Sequence, residues 1–289
     1  MADITKPKIN EIYTQKWVEI SDQEFKSLRD LIYNNIGINL SDEKKNLMMG
    51  RFQKILRARN FSTFKEYYDF VSKDSSGEAL SELANSISTN HTFFYRENDH
   101  FEYFLKTVLP EVTSTLVSQG SKDLRIWSAG CSSGEEPYDL MMLMLEYFGN
   151  DYKNWTAGIL ATDISEKALN IARKGVYSAD RIHNLPELYK KKYFKKAGNE
   201  FEIIDNIKNE VVFRRFNLMN PVFTFKKKFN TIFCRNVMIY FDEPTRIELV
   251  NKFYNLLVPG GYLFIGHSET LKRDTHNFQY IKPAVYKKV

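Results

Sequence analysis

The spacing of apolar residues changes near residue 124, and this change divides the chain into two predicted parts. In the first part, apolar residues recur at helical spacing. A capping box opens at Ser21, with Glu24 three residues later, and Gly37 marks the stop. Between them the apolar positions are Phe25, Leu28, Leu31, Ile32 and Ile36. This pattern predicts an amphipathic helix.

Three further helices are predicted in the same part. They begin at Ser41, at about Ser62 and at Glu78, and the last ends near Ser88 after the polar link SKDSSG. In the second helix, one face carries Met48, Phe52, Ile55 and Leu56. Four short helices predict a small all-helical domain over residues 15–89.

From Leu124 onward, short apolar runs alternate with helical patterns, which is typical of an α/β fold with a parallel sheet covered on both faces. The predicted strands are 124–130, 158–163, 211–217, 230–236 and 262–268, and the predicted helices are 134–148, 165–175 and 243–257. A final apolar segment, 278–288, is expected to close the sheet. The lysine-rich stretch 176–210 fits neither pattern, so we interpret it as an insertion, with FEII (201–204) as a hairpin strand.

Composition limits the function classes. The 289 residues include 41 Lys and Arg against 36 Asp and Glu, and a net charge of +5 is too small for a dedicated nucleic-acid binder. The cysteines, Cys131 and Cys234, lie in apolar runs typical of reduced core positions. No apolar run is long enough to span a membrane, and the start lacks a signal-peptide core. We therefore expect a cytoplasmic protein without direct membrane insertion. The scattered histidines predict no metal site.

The turn AGCSSGEEP (129–137) follows the first strand, at the edge where doubly wound sheets bind ligands. Its spacing is not the dinucleotide fingerprint, and its carboxylates would repel a pyrophosphate. A cationic ligand such as S-adenosylmethionine fits better, although a plain Gly/Ser turn with solvated acids is the alternative. Asp163 ends the second strand, where an acid can accept ribose hydroxyls or can instead cap the next helix.

Five blocks in order extend the pattern: NHTFFYREND (90–99), RIWSAGCSSGEEPY (125–138), ATDIS (161–165), FCRNVMIYFD (233–242) and PGGYLFIGHSE (259–269). With the run 37–70, they resemble the chemotaxis-receptor methyltransferases called the CheR family. The resemblance implies a class I S-adenosylmethionine-dependent methyltransferase domain over 90–289. Its sheet would be Rossmann-like and mostly parallel with an antiparallel last strand, preceded by the helical domain and interrupted by a small β-subdomain. The implied reaction is methyl transfer to glutamate carboxylates of receptors, with S-adenosylhomocysteine as product.

Motif positions in the family imply the site residues. The cofactor-binding set is Asn90, Thr92, Arg96, Glu136, Asp163, Asn217, Leu218, Arg235 and Asn236, and the residues implied to hold the substrate glutamate are Arg96, Arg235 and Tyr240. Two alternatives remain open: Asn217 could cap a turn before Pro221, and Tyr240 could be an ordinary core tyrosine.

The partner expected from the resemblance is the cytoplasmic helical bundle of chemotaxis receptors. Arg51, Lys54 and Arg57 recur away from the apolar face of their helix and are expected to dock on that acidic bundle, although such a row is often only a solvated face. The loop 195–203 looks shorter than the family's tether-binding loop. We therefore expect an enzyme that is independent of a carboxyl-terminal pentapeptide tether. We also expect a monomer that is recruited to receptor arrays.

Two rival functions are weighed against this one. A methyltransferase for nucleic acids or small molecules should carry a basic groove or its own catalytic loop, and neither is visible. A non-enzymatic cofactor sensor should lack the substrate-side residues, whereas Arg96, Arg235 and Tyr240 are present.

Overall fold

The computed structural model describes residues 17–88 and 91–289. The predicted helical domain is confirmed as four helices: α1 Asp22–Ile36, α2 Lys45–Arg59, α3 Phe64–Lys73 and α4 Glu78–Ile87. The capping box forms as expected, because the Ser21 hydroxyl accepts from the Glu24 N–H while the Glu24 carboxylate accepts from the Ser21 N–H. Gly37 ends α1 in the left-handed conformation at φ 71°. The aromatic centre of the bundle is Phe52, Phe64 and Tyr67, all fully buried.

A seven-stranded sheet forms the second domain, in the order β6-β2-β1-β7-β8-β10-β9. Its strands are β1 Asp123–Ala129, β2 Thr156–Asp163, β6 Val211–Arg215, β7 Phe229–Cys234, β8 Leu257–Ile265, β9 Phe278–Lys282 and β10 Val285–Lys288. The first five in the order are parallel, and β10 is antiparallel to both of its neighbours. This agrees with the predicted mostly parallel sheet. The single closing segment is instead a hairpin, which turns at Ala284 with φ 62°.

Helices cover both faces of the sheet. Those between strands are α7 Glu135–Phe148, α8 Glu166–Lys174 and α12 Glu243–Leu256. The sequence reasoning missed one long helical stretch: α5 Asn98–Tyr103 continues through a π-helical turn, Phe104–Val108, into α6 Leu109–Ser118.

The predicted insertion is a small antiparallel sheet, in the order β3-β5-β4. It consists of β3 Val176–Ser178, β4 Phe194–Ala197 and β5 Glu200–Ile203, with short helices α9 Ala179–Ile182, α10 Glu187–Tyr193 and α11 Asp205–Lys208. A two-residue turn joins β4 to β5.

The two domains meet along the carboxyl edge of the large sheet. The backbone N–H of Asn39 donates to the carbonyl of Tyr240 at 2.9 Å. The Asn217 side-chain amide donates to the carbonyl of Asn35 at 2.7 Å, and the Tyr33 hydroxyl donates to Asp242 at 2.8 Å. The loop after α1 is thereby fixed over the strand ends. Within the described residues, no helix has the length and apolar character needed to cross a bilayer.

Candidate functional site

A cleft lies at the carboxyl ends of β1, β2 and β7, with part of its wall supplied by the helical domain through Ile36, Ile38 and Ala84. It brings together the predicted site residues that the structure describes: Thr92, Arg96, Glu136, Asp163, Asn217, Leu218, Arg235, Asn236 and Tyr240. Asn90 lies outside the described residues. Residues that are far apart in sequence therefore share one cavity.

The turn after β1 is shaped by close backbone approach. Gly130 has φ 82°, and a Cβ there would lie 2.4 Å from Cγ2 of Val237. Gly134 precedes α7 with φ 95°, and a Cβ there would lie 2.7 Å from Cβ of Ala172. Only glycine fits both positions. As a result Glu136 stands in the first turn of α7 and lines the cleft.

The carboxylate of Glu136 has two partners. It accepts from the Ser128 hydroxyl at 2.6 Å and from Nη1 of Arg235 at 3.1 Å. Burial raises the pKa of Glu136, and the neighbouring Arg235 opposes that rise.

Asp163 joins two loops at the floor of the cleft. Oδ2 accepts from the N–H of Ser132 and Oδ1 from the N–H of Ser165, each at 2.8 Å. Burial raises the pKa of Asp163, and these backbone hydrogen bonds oppose the rise. The simple capping alternative is wrong, because Ser165 is the N-cap of α8 and accepts from the Ala168 N–H.

Arg235 is almost fully enclosed at the end of β7. Besides Glu136, it donates through Nη2 to the Glu97 carboxylate at 3.1 Å and to the Arg96 carbonyl, and its guanidinium lies 5.0 Å from the Phe101 ring centroid. Two carboxylates therefore neutralise it. Both terminal nitrogens of this guanidinium already donate to protein acceptors, so Arg235 holds the cleft together.

Arg96 has a different environment. It is partly exposed, and its Nη1 donates to the carbonyl of His91 at 2.6 Å. Among residues 17–88 and 91–289, no carboxylate lies within ion-pair distance of Arg96. Of the two predicted arginines, Arg96 is thus the one whose charge faces the cleft without an anionic partner.

Sequence reasoning missed Glu97. Its carboxylate also accepts from the Asn236 side-chain amide at 3.1 Å and from the His267 backbone N–H at 3.3 Å. Its backbone is left-handed, with φ 55°. Burial acts to raise the pKa of Glu97, but Arg235 and the Asn236 amide together outweigh it, so the pKa lies below its usual value. The only sequence signal was a second charge directly after Arg96.

A second missed acid is Asp139, which is fully buried and lines the cleft. Oδ2 accepts from the Tyr95 N–H at 2.7 Å, and burial raises the pKa of Asp139 well above its usual range.

One group in the described part of the chain has metal-like composition: Glu97, His100 and His267 place ligand atoms within 4.8 Å of one another. The Glu97 carboxylate is already held by three hydrogen-bond donors, so we interpret the group as a polar cluster.

Asn217 and Tyr240 connect the cleft to the helical domain. Besides its contact with Asn35, Asn217 accepts from the Met219 N–H at 2.9 Å, which is a local turn interaction of the kind left open above. Tyr240 ends a 3₁₀ turn, Met238–Tyr240, and lines the cleft while partly packing against the helical core.

The basic row on α2 is not uniform. Lys54 and Arg57 are exposed, whereas Arg51 is half-buried and donates to the carbonyls of Ile87 and Ser86 at the end of α4. Arg51 therefore links two helices, and the exposed part of the row is Lys54 and Arg57.

The cleft suits S-adenosylmethionine by its donor set. Glu136 and Asp163 offer carboxylates to a ligand that carries sulfonium and ammonium groups and ribose hydroxyls. Ile164, Phe216 and Leu218 supply apolar wall for a planar base. The turn after β1 lines the same edge through Gly130, Cys131 and Ser132.

Comparison with known proteins supports this choice of cofactor. Residues 23–88 match the model "CheR methyltransferase, all-alpha domain" and residues 90–287 match "CheR methyltransferase, SAM binding domain". A chemotaxis protein methyltransferase of Borreliella burgdorferi is 47% identical over 272 residues, which cover 94% of this chain and 96% of that protein. The chemotaxis protein methyltransferase of Escherichia coli is 32% identical, over 92% of this chain and 91% of that protein. The cofactor is thus S-adenosylmethionine, and the chain belongs to the CheR methyltransferase family.

Proposed function

We propose that this protein transfers the methyl group of S-adenosylmethionine to glutamate side-chain carboxylates of chemotaxis receptors, forming methyl esters. The relatives in Borreliella burgdorferi and Escherichia coli are named chemotaxis protein methyltransferases, which supports the pathway. The observation that carries the choice of a carboxylate substrate is Arg96. It lines a cleft whose floor is acidic, and no described carboxylate lies within ion-pair distance of it.

When bound, the cofactor supplies a methyl group on a positively charged sulfur, already activated for transfer. Glu136 and Asp163 would hold it from the floor. A glutamate side chain is ionised near neutral pH, with an ordinary pKa of about 4.3, so no general base is required. The remaining task is to position and desolvate the substrate carboxylate.

Arg96 and Tyr240 would perform this positioning by charge-assisted and hydroxyl hydrogen bonds. Arg235, which the family motif implies as a substrate-holding residue, would instead have a structural role. Its guanidinium is held by Glu97 and Glu136, so its role is to keep the cofactor floor in place. The wall formed by Ile36 and Ile38 would keep water away from the reacting groups.

The proposed partner is the cytoplasmic helical bundle of the receptor, met by Lys54 and Arg57 on α2. The β4–β5 turn consists of Gly198 and Asn199 alone, which supports an enzyme that works without a pentapeptide tether. We propose a cytoplasmic monomer that is recruited to receptor arrays.

Incubation with radiolabelled cofactor and receptor-containing membranes tests the proposal. Label should enter the receptor and be released as methanol by mild base, because carboxyl methyl esters hydrolyse readily. A matched receptor with its acceptor glutamates changed to alanine should stay unlabelled. Base-stable label, or equal label in the alanine receptor, would exclude glutamate esterification.

A further inference from the structure

Glu269 is a buried carboxylate to which neither the sequence reasoning nor the proposed mechanism gives a role. It follows β8 in the turn Gly266–Glu269 and is 7% exposed. The carboxylate accepts backbone N–H groups from Gly266 at 2.6 Å, Asn236 at 3.0 Å and Ile239 at 3.1 Å, and the Met238 backbone also bonds to it. None of the ion pairs among the described residues includes Glu269. Burial raises the pKa of Glu269, and the peptide N–H groups oppose this rise by stabilising the negative charge.

These contacts hold two strand ends unusually close together. A Cβ on Gly266 would lie 2.4 Å from Nδ2 of Asn236, so the turn after β8 lies directly against the residue after β7. Asn236 itself has φ 59°, in the left-handed region that most residues avoid. Asparagine adopts this region more readily than most residues, and Glu269 supplies one contact that holds the conformation, at the Asn236 N–H.

The held segment leads directly to Tyr240. The N–H groups of Asn236 and Ile239 bind Glu269, and the next residue is Tyr240. On its other side, the Tyr240 carbonyl accepts from the N–H of Asn39. The position of Tyr240 in the cleft is thus fixed by Glu269 from the sheet and by the helical domain from above.

We propose that Glu269 is a positioning residue: it sets Asn236 and Tyr240 in the cleft by binding the backbone of the segment that carries them. This inference rests on the proposed function for the role of Tyr240 in transfer. Its requirement for a carboxylate is specific, because several N–H donors converge on two oxygens. Glutamine would offer one oxygen and would turn an NH₂ group towards other donors.

The test compares Glu269→Gln and Glu269→Asp with Glu210→Gln as a control. Glu210 is half-buried, accepts from the Tyr152 hydroxyl at 2.8 Å and does not line the cleft, so its change is a control for loss of a carboxylate charge outside the cleft. The readouts are S-adenosylhomocysteine affinity by calorimetry, hydrogen–deuterium exchange of residues 234–242, and kcat and KM for receptor methylation.

In Glu269→Gln we expect faster exchange over 234–242, cofactor affinity weaker by about tenfold, and kcat lower by up to about 100-fold, the effect of a small misplacement of reacting groups. Glu269→Asp should recover part of each, and the control should resemble wild type. Wild-type affinity, exchange and kcat in Glu269→Gln would overturn the proposal, as would a lower melting temperature with unchanged values for the folded protein. If wild type fails to methylate receptors, the proposed function fails, while affinity and exchange still decide the positioning role.

Discussion

The floor of the cleft carries Glu136, Asp163 and Arg235, and its rim carries Arg96 and Tyr240. The two arginines have opposite environments. At the floor, Arg235 has a side chain that is 3% exposed and is bound by Glu97 and Glu136. At the rim, Arg96 is partly exposed and donates to a backbone carbonyl.

The difference separates charge used for structure from charge used for recognition. A buried arginine is stable only with anionic partners. Removing it leaves the partner carboxylates buried without a cation, which lowers the free energy of unfolding. A partly solvated arginine without an anionic partner costs little to keep and can bind an incoming anion. We therefore expect loss of the floor arginine to reduce stability, and loss of the rim arginine to reduce transfer and cofactor affinity with little effect on stability.

The largest expected effect is that of Arg235→Ala. Glu97 and Glu136 would be left buried without their cation, so the free energy of unfolding should fall by about 3–5 kcal/mol. Urea denaturation measures it. Arg96→Ala is the matched control and should stay within about 0.5 kcal/mol of wild type. Equal losses in both variants would remove the distinction between floor and rim.

Arg96→Ala should instead damage function. A hydrogen bond to a charged group contributes about 1.5–3 kcal/mol, so kcat/KM for receptor should fall by roughly ten- to more than 100-fold. The family resemblance also places Arg96 against the cofactor, so S-adenosylhomocysteine affinity should fall too. Unchanged cofactor affinity would assign Arg96 to the substrate alone, and unchanged transfer would exclude it from both.

Local signals in the sequence were enough for most of the fold. The capping box at Ser21, the alternation after Leu124 and the glycine turn at 129–137 each depend on neighbouring residues, and each formed as expected. The closing hairpin was missed because one apolar segment does not reveal its turn at Ala284. The stretch 98–118 was also missed, although it is helical throughout.

For the site, the residues that line the cleft could be predicted, but their individual roles could not. Motif matching placed nine described residues around one cleft, but it could not separate the roles of Arg96 and Arg235. That separation depends on Glu97 and Glu136, whose contacts with Arg235 span 138 and 99 residues of sequence. Arg51 shows the same limit, because its carbonyl partners lie on another helix.

A smaller effect is expected from Tyr240→Phe, which removes one hydroxyl and keeps the ring. The lost hydrogen bond should slow methyl transfer by about three- to tenfold, corresponding to roughly 0.5–1.5 kcal/mol. Cofactor affinity should change little. Single-turnover kinetics beside calorimetry measures both quantities. A wild-type rate of methyl transfer would show that the Tyr240 hydroxyl does not hold the substrate.

The smallest effect concerns docking by Lys54 and Arg57. Reversing both to glutamate should raise the KM for receptor by a few-fold at low salt, since an exposed ion pair contributes about 0.2–1 kcal/mol. Added salt should reduce the difference. Lys122→Glu with Lys153→Glu makes the same charge change near the amino ends of β1 and β2 and should leave KM unchanged. If both pairs of substitutions raise KM equally, the effect comes from net charge and not from docking by Lys54 and Arg57.

Titration of S-adenosylhomocysteine into wild type and Asp163→Ala tests cofactor binding by the acidic floor most directly. Loss of this carboxylate should weaken binding by about 1.5–3 kcal/mol, roughly ten- to 150-fold in Kd. Circular dichroism should show the variant folded. Unchanged affinity in a folded Asp163→Ala protein would mean that Asp163 only ties Ser132 to Ser165 and that its carboxylate does not bind the cofactor.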